Sequence, residues 1–274
     1  MGVWLRHRLP ERVDVEGMLA EERFVYDSGD AVGEDHPYTP HTFVWFHREL
    51  AAEVEVPGRI HVVHRDERII VVDKPAFLSS IPRGRHVRES VVVRLRDELG
   101  MPELSPLHRL DRVTSGLLML GTERRWRGAY QSMFQNGTVR KTYRALAPLR
   151  RDLELPVTVR NHLQKRRGNW QVEVVPDAPV NAETLVELES PLGDRGIYRL
   201  TPLTGRTHQL RVHLNGLGVP IVNDPLYPDV HDLEVDDFSH PLQLLASELA
   251  FTDPIDGRLR EFESVRRLPL LPEG

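Results

Sequence analysis

The sequence has no cysteine in 274 residues. That excludes disulfides, thiolate metal sites and cysteine nucleophiles. Lysine is nearly as scarce: arginine outnumbers it 33 to 3, so almost all positive charge sits on planar, permanently protonated groups. No apolar run approaches the roughly 20 residues that cross a bilayer. The opening MGVWLRHRLPERVDVEG lacks the apolar stretch of a secretory signal. A cytoplasmic protein is expected. There is no internal repeat, no low-complexity tract and no long exposed apolar stripe, so a monomer without a protein partner is the expectation. Nucleotide-binding glycine loops are missing too, and no cofactor or metal is expected.

What is present is an ordinary globular composition, 40% hydrophobic and 28% charged, with the charge strongly segregated. Residues 1–58 hold 5 basic and 12 acidic side chains, and residues 171–274 hold 8 and 18. Residues 80–170 reverse this, with 19 basic against 8 acidic, inside a chain whose net charge is −5. Phosphate binding depends on the face that makes contact and not on the total, so the central block reads as a footprint for a polyanion. A solvated arginine-rich surface reads the same from charge alone.

The acidic residues 1–58, ending at Pro57-Gly58, form an N-terminal segment with short strand patterns at Phe24–Tyr26 and Phe43–Phe46 and no long amphipathic helix. Residues 59–274 form the main domain. RIHVVHRDERIIVVDKP predicts two short strands around a charged turn. Val91, Leu95 and Leu99 predict a helix stopped by Gly100. SGLLMLG is a buried strand, and Thr122 is placed to cap a helix bearing Trp126, Tyr130, Met133 and Phe134. TVRKTYRALA, AETLVELES and GIYRLTPL read as strands, and Thr207 is placed to cap a helix bearing Leu210, Leu214 and Leu217. Residues 229–239 read as an acidic loop. Strands without regular helical crossovers predict an α+β fold with a mostly antiparallel, mixed sheet flanked by helices.

Two segments carry chemistry. In His108-Arg109-Leu110-Asp111-Arg112-Val113-Thr114 an aspartate stands between two arginines at the rim of a sheet. Nearby cations keep a carboxylate ionised, able to act as nucleophile or base; taken alone, a loop aspartate capping backbone N–H groups is the commoner case. In Thr204-Gly205-Arg206-Thr207-His208-Gln209-Leu210-Arg211 a strand–turn–helix junction aims several donors at one place. His208 and His213 could be metal ligands, but their spacing suits one helical face less well than i, i+4 and no carboxylate motif accompanies them.

Together these segments closely resemble the RluA-type pseudouridine synthases. HRLDRVTSGLLML resembles the stretch bearing that family's catalytic aspartate, and TGRTHQLRVHLNGLGVPIVNDPLY its C-terminal motif. VVDKPAFLSSIP is similar to its lysine–proline motif, although the family usually has glycine where this chain has Phe77. KTYRALA is similar to the stretch supplying its active-site tyrosine. The four occur in family order from Val71 to Tyr227.

The resemblance implies RNA pseudouridylation without a cofactor, in ribosomal or transfer RNA. It makes Asp111 the catalytic carboxylate, Arg211 its ion-pair partner, Tyr143 the aromatic against the target base and Arg109 the group that fills the place of the flipped nucleotide. Lys74, His108, Leu110, Thr114, Arg206, His208 and Gln209 fall among its substrate-binding positions. Phosphate contacts are expected from Arg83, Arg85, Arg88, Arg140, Lys141, Lys165, Arg166 and Arg167 on one face. Residues 1–58 are a candidate divergent RNA-binding module. Extruding a base costs a few kcal/mol, which arginine can offset by occupying the vacated stack. A catalytically silent RNA-binding protein on the same scaffold is the alternative. It is disfavoured because a carboxylate facing phosphates weakens binding. A hydrolase using Asp111 with His108 or His208 lacks a nucleophile elbow or paired carboxylates.

Overall fold

Runs of branched apolar residues, rather than long helices, organise this molecule. The computed structural model describes residues 1–11, 13–46, 52–84, 86–231, 234 and 236–271. They fall into two units, Met1–Ala52 and Glu53–Gly274. In the first, α1 (Gly2–Arg8), α2 (Val15–Ala20) and the paired strands β1 (Phe24–Tyr26) and β2 (Val44–Phe46) close a small core around Leu5, Val15, Met18 and Phe24. Asp14 caps α2 by accepting the Gly17 N–H at 3.0 Å. The division lies ahead of Pro57-Gly58, because residues 53–58 pack with the second unit. There the Val56 N–H donates to Glu89 at 2.6 Å, and Arg94 donates to the Val56 carbonyl at 3.1 Å.

The second unit opens with the hairpin of β3 (His61–Arg65) and β4 (Ile69–Lys74), whose turn is held by Asp66 accepting the Arg68 and Ile69 N–H groups at 2.8 Å each. There follow α3 (Val91–Leu99), β5 (Ser105–Pro106), β6 (Ser115–Gly121), α4 (Arg124–Gln135), β7 (Arg140–Pro148), β8 (Val157–Asn161), β9 (Leu163–Gln164) and β10 (Glu173–Val174). The chain continues through β11 (Ala182–Leu192), β12 (Arg195–Pro202), α5 (Gln209–Gly216), β13 (Leu244–Thr252) and β14 (Leu259–Glu263). Among the described residues ten strands form one sheet in the order β3-β4-β6-β13-β7-β12-β11-β8, with β14 beside β13 and β5 beside β6. Among these strands only β6 and β13 pair in parallel; their other pairings are antiparallel. This is the expected α+β architecture.

β4 and β6 are buried along their whole length, and apart from Asp73 and Lys74 at the end of β4 they read as apolar runs. Their alternate residues serve two cores. Ile70, Val72, Leu118 and Leu120 pack on α3 through Val91 and Leu95, while Ile69, Val71, Leu117 and Met119 pack on α4 through Tyr130 and Met133. Each such side chain stabilises the sheet by roughly 1.5–3 kcal/mol. Both predicted caps differ from the structure. Thr122 spends its hydroxyl on the Glu67 carbonyl at 2.5 Å, leaving Glu123 at the N-cap of α4. The N-cap of α5 is His208, not Thr207, in left-handed backbone with φ +54°.

The parallel pairing of β6 with β13 spaces the central strands. Ala246 of β13 lies opposite Gly116 on one side and Tyr143 of β7 on the other. Gly116 has φ +109°, and a Cβ there would sit 2.3 Å from the Ala246 carbonyl oxygen. No larger residue fits without parting the strands.

Candidate active site

The loop from Leu107 to Thr114 joins β5 to β6 and is fastened on both sides of Asp111. Before it, the Leu110 N–H donates to Ser80 Oγ at 3.1 Å while the Ser80 hydroxyl donates to the Leu110 carbonyl at 2.9 Å. After it, the Arg112 carbonyl accepts from Lys74 Nζ at 3.1 Å, and the Thr114 N–H donates to the Asp111 carbonyl at 3.1 Å. Lys74 is fully buried and gives its other two protons to Pro75 and Leu78 carbonyls at 3.0 and 2.8 Å. Burial pushes its pKa down to about 7, against the pull of the Asp111 charge. Its work is to tie this loop to the end of β4.

Arg211, 2% exposed, is the guanidinium that meets Asp111: its Nη1 lies 3.4 Å from Oδ2. Its stronger partner is Asp224, a residue that the sequence pattern does not single out. Nε and Nη2 donate to the two oxygens of Asp224 at 2.8 and 2.6 Å, a bidentate pair in which the Asp224 side chain is wholly buried. Asp224 is itself fixed by the N–H groups of Leu226 and Tyr227. Arg211 is thus locked from behind with one nitrogen left to face Asp111. The motif NDPLY contained this signal, since a buried arginine requires an acid and this is the acidic residue nearest after α5. Tyr143 stands half-buried on β7, and burial together with the Asp111 charge raises its pKa, so its phenol is neutral. His208 Nε2 lies 4.0 Å from Asp111 Oδ2, and burial lowers its pKa to about 4.

Several predicted substrate contacts have internal partners instead. The His108 ring stacks on Phe134 at 4.4 Å and its Nε2 accepts the Met119 N–H at 3.1 Å; burial drives its pKa down to about 3. Gln209 accepts from the Thr204 hydroxyl and the Arg206 N–H and donates to the Glu183 carbonyl and Thr184 hydroxyl, all within 3.0 Å. Leu110 is buried in the core under α3, and Thr114 is 3% exposed. These side chains hold the site's backbone. Arg109 is exposed on the loop, and Arg206 is exposed with its Nε on the Asn181 carbonyl. Arg112 donates to the Phe77 carbonyl at 3.2 Å and lies over the Phe77 ring. Phe77 has φ +67°, a conformation that explains a glycine at this place and costs a side-chain-bearing residue roughly 1–2 kcal/mol. Its ring, 4% exposed against Phe238, offsets that cost.

Of the expected phosphate contacts, Arg83, Arg88, Arg140, Lys165, Arg166 and Arg167 are exposed and Lys141 is half-buried; Arg85 lies outside the described residues. Arg140 pairs with Glu261 at 3.1 Å and Arg166 with Glu173 at 3.2 Å. Lys165 stands close enough to Arg83, Arg211 and Asp111 for their charges to act on it.

The model of the RNA pseudouridylate synthase family matches residues 68–216, which include Lys74, Asp111, Tyr143 and Arg211. The chain belongs to that family. A dual-specificity RNA pseudouridine synthase RluA of Vibrio parahaemolyticus is 34% identical over 217 residues, covering 73% of this chain and 80% of that protein. The human pseudouridylate synthase RPUSD2 is 36% identical over 174 residues, 62% of this chain and 31% of that protein. The structure of human RNA pseudouridylate synthase domain containing 1 superposes with a TM-score of 0.60 at 26% identity, over 79% of this chain and 94% of that one. This RNA pseudouridine synthase is of the RluA type, an isomerase that converts uridine to pseudouridine in RNA. No helix among the described residues is long and apolar enough to cross a membrane.

Proposed function

We propose that Asp111 is the catalytic carboxylate, acting on the sugar of a uridine flipped out of a structured ribosomal or transfer RNA. The observation that carries this is the construction around it. A half-exposed carboxylate faces a buried arginine whose other nitrogens are already committed to Asp224. Isomerisation breaks N1–C1′, turns the uracil and joins C5 to C1′, with one proton moved from C5 to N1. Asp111 serves as nucleophile at C1′ or as base toward a sugar proton, and both roles need an ionised group fixed against the ribose. Arg211 supplies the fixed positive charge, the neutral Tyr143 ring holds the loose uracil, and Arg109 fills the gap in the RNA stack. The exposed arginines around Lys165 would take the phosphates, with the first unit as an accessory RNA-binding module. The enzyme works as a cytoplasmic monomer in this reading.

Asp111→Asn tests it. The fold, followed by circular dichroism, should be retained. Tritium release from RNA labelled at uridine C5 should fall by on the order of a thousandfold or more. Turnover within about tenfold of wild type would overturn the assignment.

A further inference from the structure

The Tyr227 ring, 5% exposed, follows the bend tied by Asp224. Its phenol oxygen accepts the Val172 N–H at 2.7 Å and lies 3.1 Å from His208 Nδ1. Among the described residues it has no other hydrogen-bonding partner. Burial holds the phenol protonated by pushing its pKa up to about 12. That proton cannot go to Val172, which is itself a donor, and leaving a buried hydroxyl unsatisfied is costly. It goes to His208 Nδ1. A neutral imidazole that accepts at Nδ1 carries its own proton on Nε2.

The ring is also uncharged. Burial lowers its pKa to about 4, aided by Arg211 and Lys165 and opposed by Asp111 and Asp224. Its Nε2 is the atom that faces Asp111 Oδ2, at 4.0 Å. The same oxygen is the one approached by Arg211 Nη1 at 3.4 Å, and among the described residues nothing bonds Oδ1.

We infer that Tyr227 is a positioning residue for Asp111: its hydroxyl fixes His208 as the Nε2–H tautomer, which with Arg211 holds Oδ2 and leaves Oδ1 for the ribose. The inference rests on the reading of Asp111 as the catalytic group and adds which of its oxygens reacts. At 4.0 Å the His208 N–H is an oriented dipole, and a small turn of the carboxylate onto substrate brings it into hydrogen-bond range. The opposite tautomer would present a lone pair to the carboxylate and push it away.

The test reads the tautomer directly. In enzyme carrying 15N-labelled histidine, with His208 assigned by its disappearance in His208→Gln, two-bond proton–nitrogen correlations show which ring nitrogen is protonated. Wild-type His208 should be the neutral Nε2–H form between about pH 5.5 and 8. In Tyr227→Phe the Nδ1 atom loses its donor, so both tautomers should appear. That variant's kcat should fall roughly ten- to hundredfold, the usual range for a partner one shell removed, with KM for RNA changed by less than about threefold. His208→Gln, whose amide can place an N–H where Nε2–H stood, should keep kcat within about fivefold, while His208→Ala should fall as far as Tyr227→Phe. Finding wild-type His208 as the Nδ1–H form, or a folded Tyr227→Phe enzyme with wild-type kcat, overturns the inference. Either result leaves the role of Asp111 standing, since that role fails only if Asp111→Asn retains turnover. If Tyr227→Phe does not fold, the wild-type spectrum decides alone.

Discussion

Two loops of the larger unit are built in opposite ways. The loop bearing Asp111 is tied on either side by Ser80 and Lys74, and the arginine that faces it is locked by a buried acid. The loop between β9 and β10 presents Arg166, Arg167 and Trp170 to solvent, with Trp170 75% exposed and Arg166 resting on the half-buried Glu173. Lys165 holds that loop's shape by donating to the Asn169 and Trp170 carbonyls. The difference suits what each is proposed to do. A reacting group gains from being over-determined, because its position must not change when substrate arrives. A cation that binds RNA gains from a weak, solvent-screened partner that a phosphate can displace.

The sharpest way to break the tied side is Asp224→Ala. It leaves a guanidinium that is 2% exposed without its main partner, which costs about 3–5 kcal/mol in urea unfolding. With Arg211 free to swing, kcat should fall about a hundredfold or more. Wild-type turnover in that variant would mean that Asp111 does not depend on a fixed Arg211.

Acid should loosen the same side before the other. His213 is buried and His108 and His208 are partly buried, and burial lowers their pKa values to about 4, 3 and 4. The unfolded chain takes up these protons near pH 6.5, whereas the folded chain refuses them until about pH 4. Stability is therefore lost as the pH falls from about 6.5 to 4, at up to about 1.4 kcal/mol per pH unit for each histidine, and these groups have no further effect above that window. His213 is the cleanest probe, since among the described residues its Nε2 meets Asn161 alone and its buried Nδ1 has no hydrogen-bond partner. His213→Gln should flatten the slope of stability against pH measured by urea unfolding; an unchanged slope would show that acid acts elsewhere.

The smallest effect on chemistry belongs to the open side. Changing Lys165, Arg166 and Arg167 together to alanine should weaken RNA binding and reduce the slope of log affinity against log salt by about 0.7–0.9 for each phosphate no longer neutralised. At saturating RNA, kcat should fall far less than in Asp224→Ala. An unchanged salt slope would show a dispersed arginine surface instead of an RNA face.

What the sequence makes legible is what has a period or a motif. The stripes of α3, α4 and α5 and the alternation of β7, β11 and β12 are visible because each spans several repeats of its pattern. α1 and α2, with 7 and 6 residues, are too short to show one. Read from the residues alone, the segment around Asp111 draws the eye to its flanking arginines, and only the family motif points to Arg211. The guanidinium that faces Asp111 lies 100 positions away in sequence, while Arg109 points to solvent. Asp224 sits in a bend with no periodicity, so its role emerges only when α5 packs against that bend. His108 reads as a substrate contact through its place in the family motif; the Phe134 ring stacked on it is a tertiary fact. The two misplaced caps differ in cause: the Thr122 hydroxyl is spent on the Glu67 carbonyl, and left-handed His208 takes the N-cap of α5 one residue after Thr207.

The glycine at position 116 makes the spacing of the site a property of the backbone. Across β6, β13 and β7, Gly116, Ala246 and Tyr143 stand side by side, so the strand that leaves the Asp111 loop and the strand that bears Tyr143 are separated by two interstrand steps, about 10 Å. Hydrogen-bonded ladders hold such distances far more tightly than packed side chains do. The interval between the carboxylate proposed to act on the sugar and the ring proposed to cradle the base is in effect ruled onto the sheet. Core residues on either face can drift in evolution without altering it, provided no side chain is ever placed at Gly116.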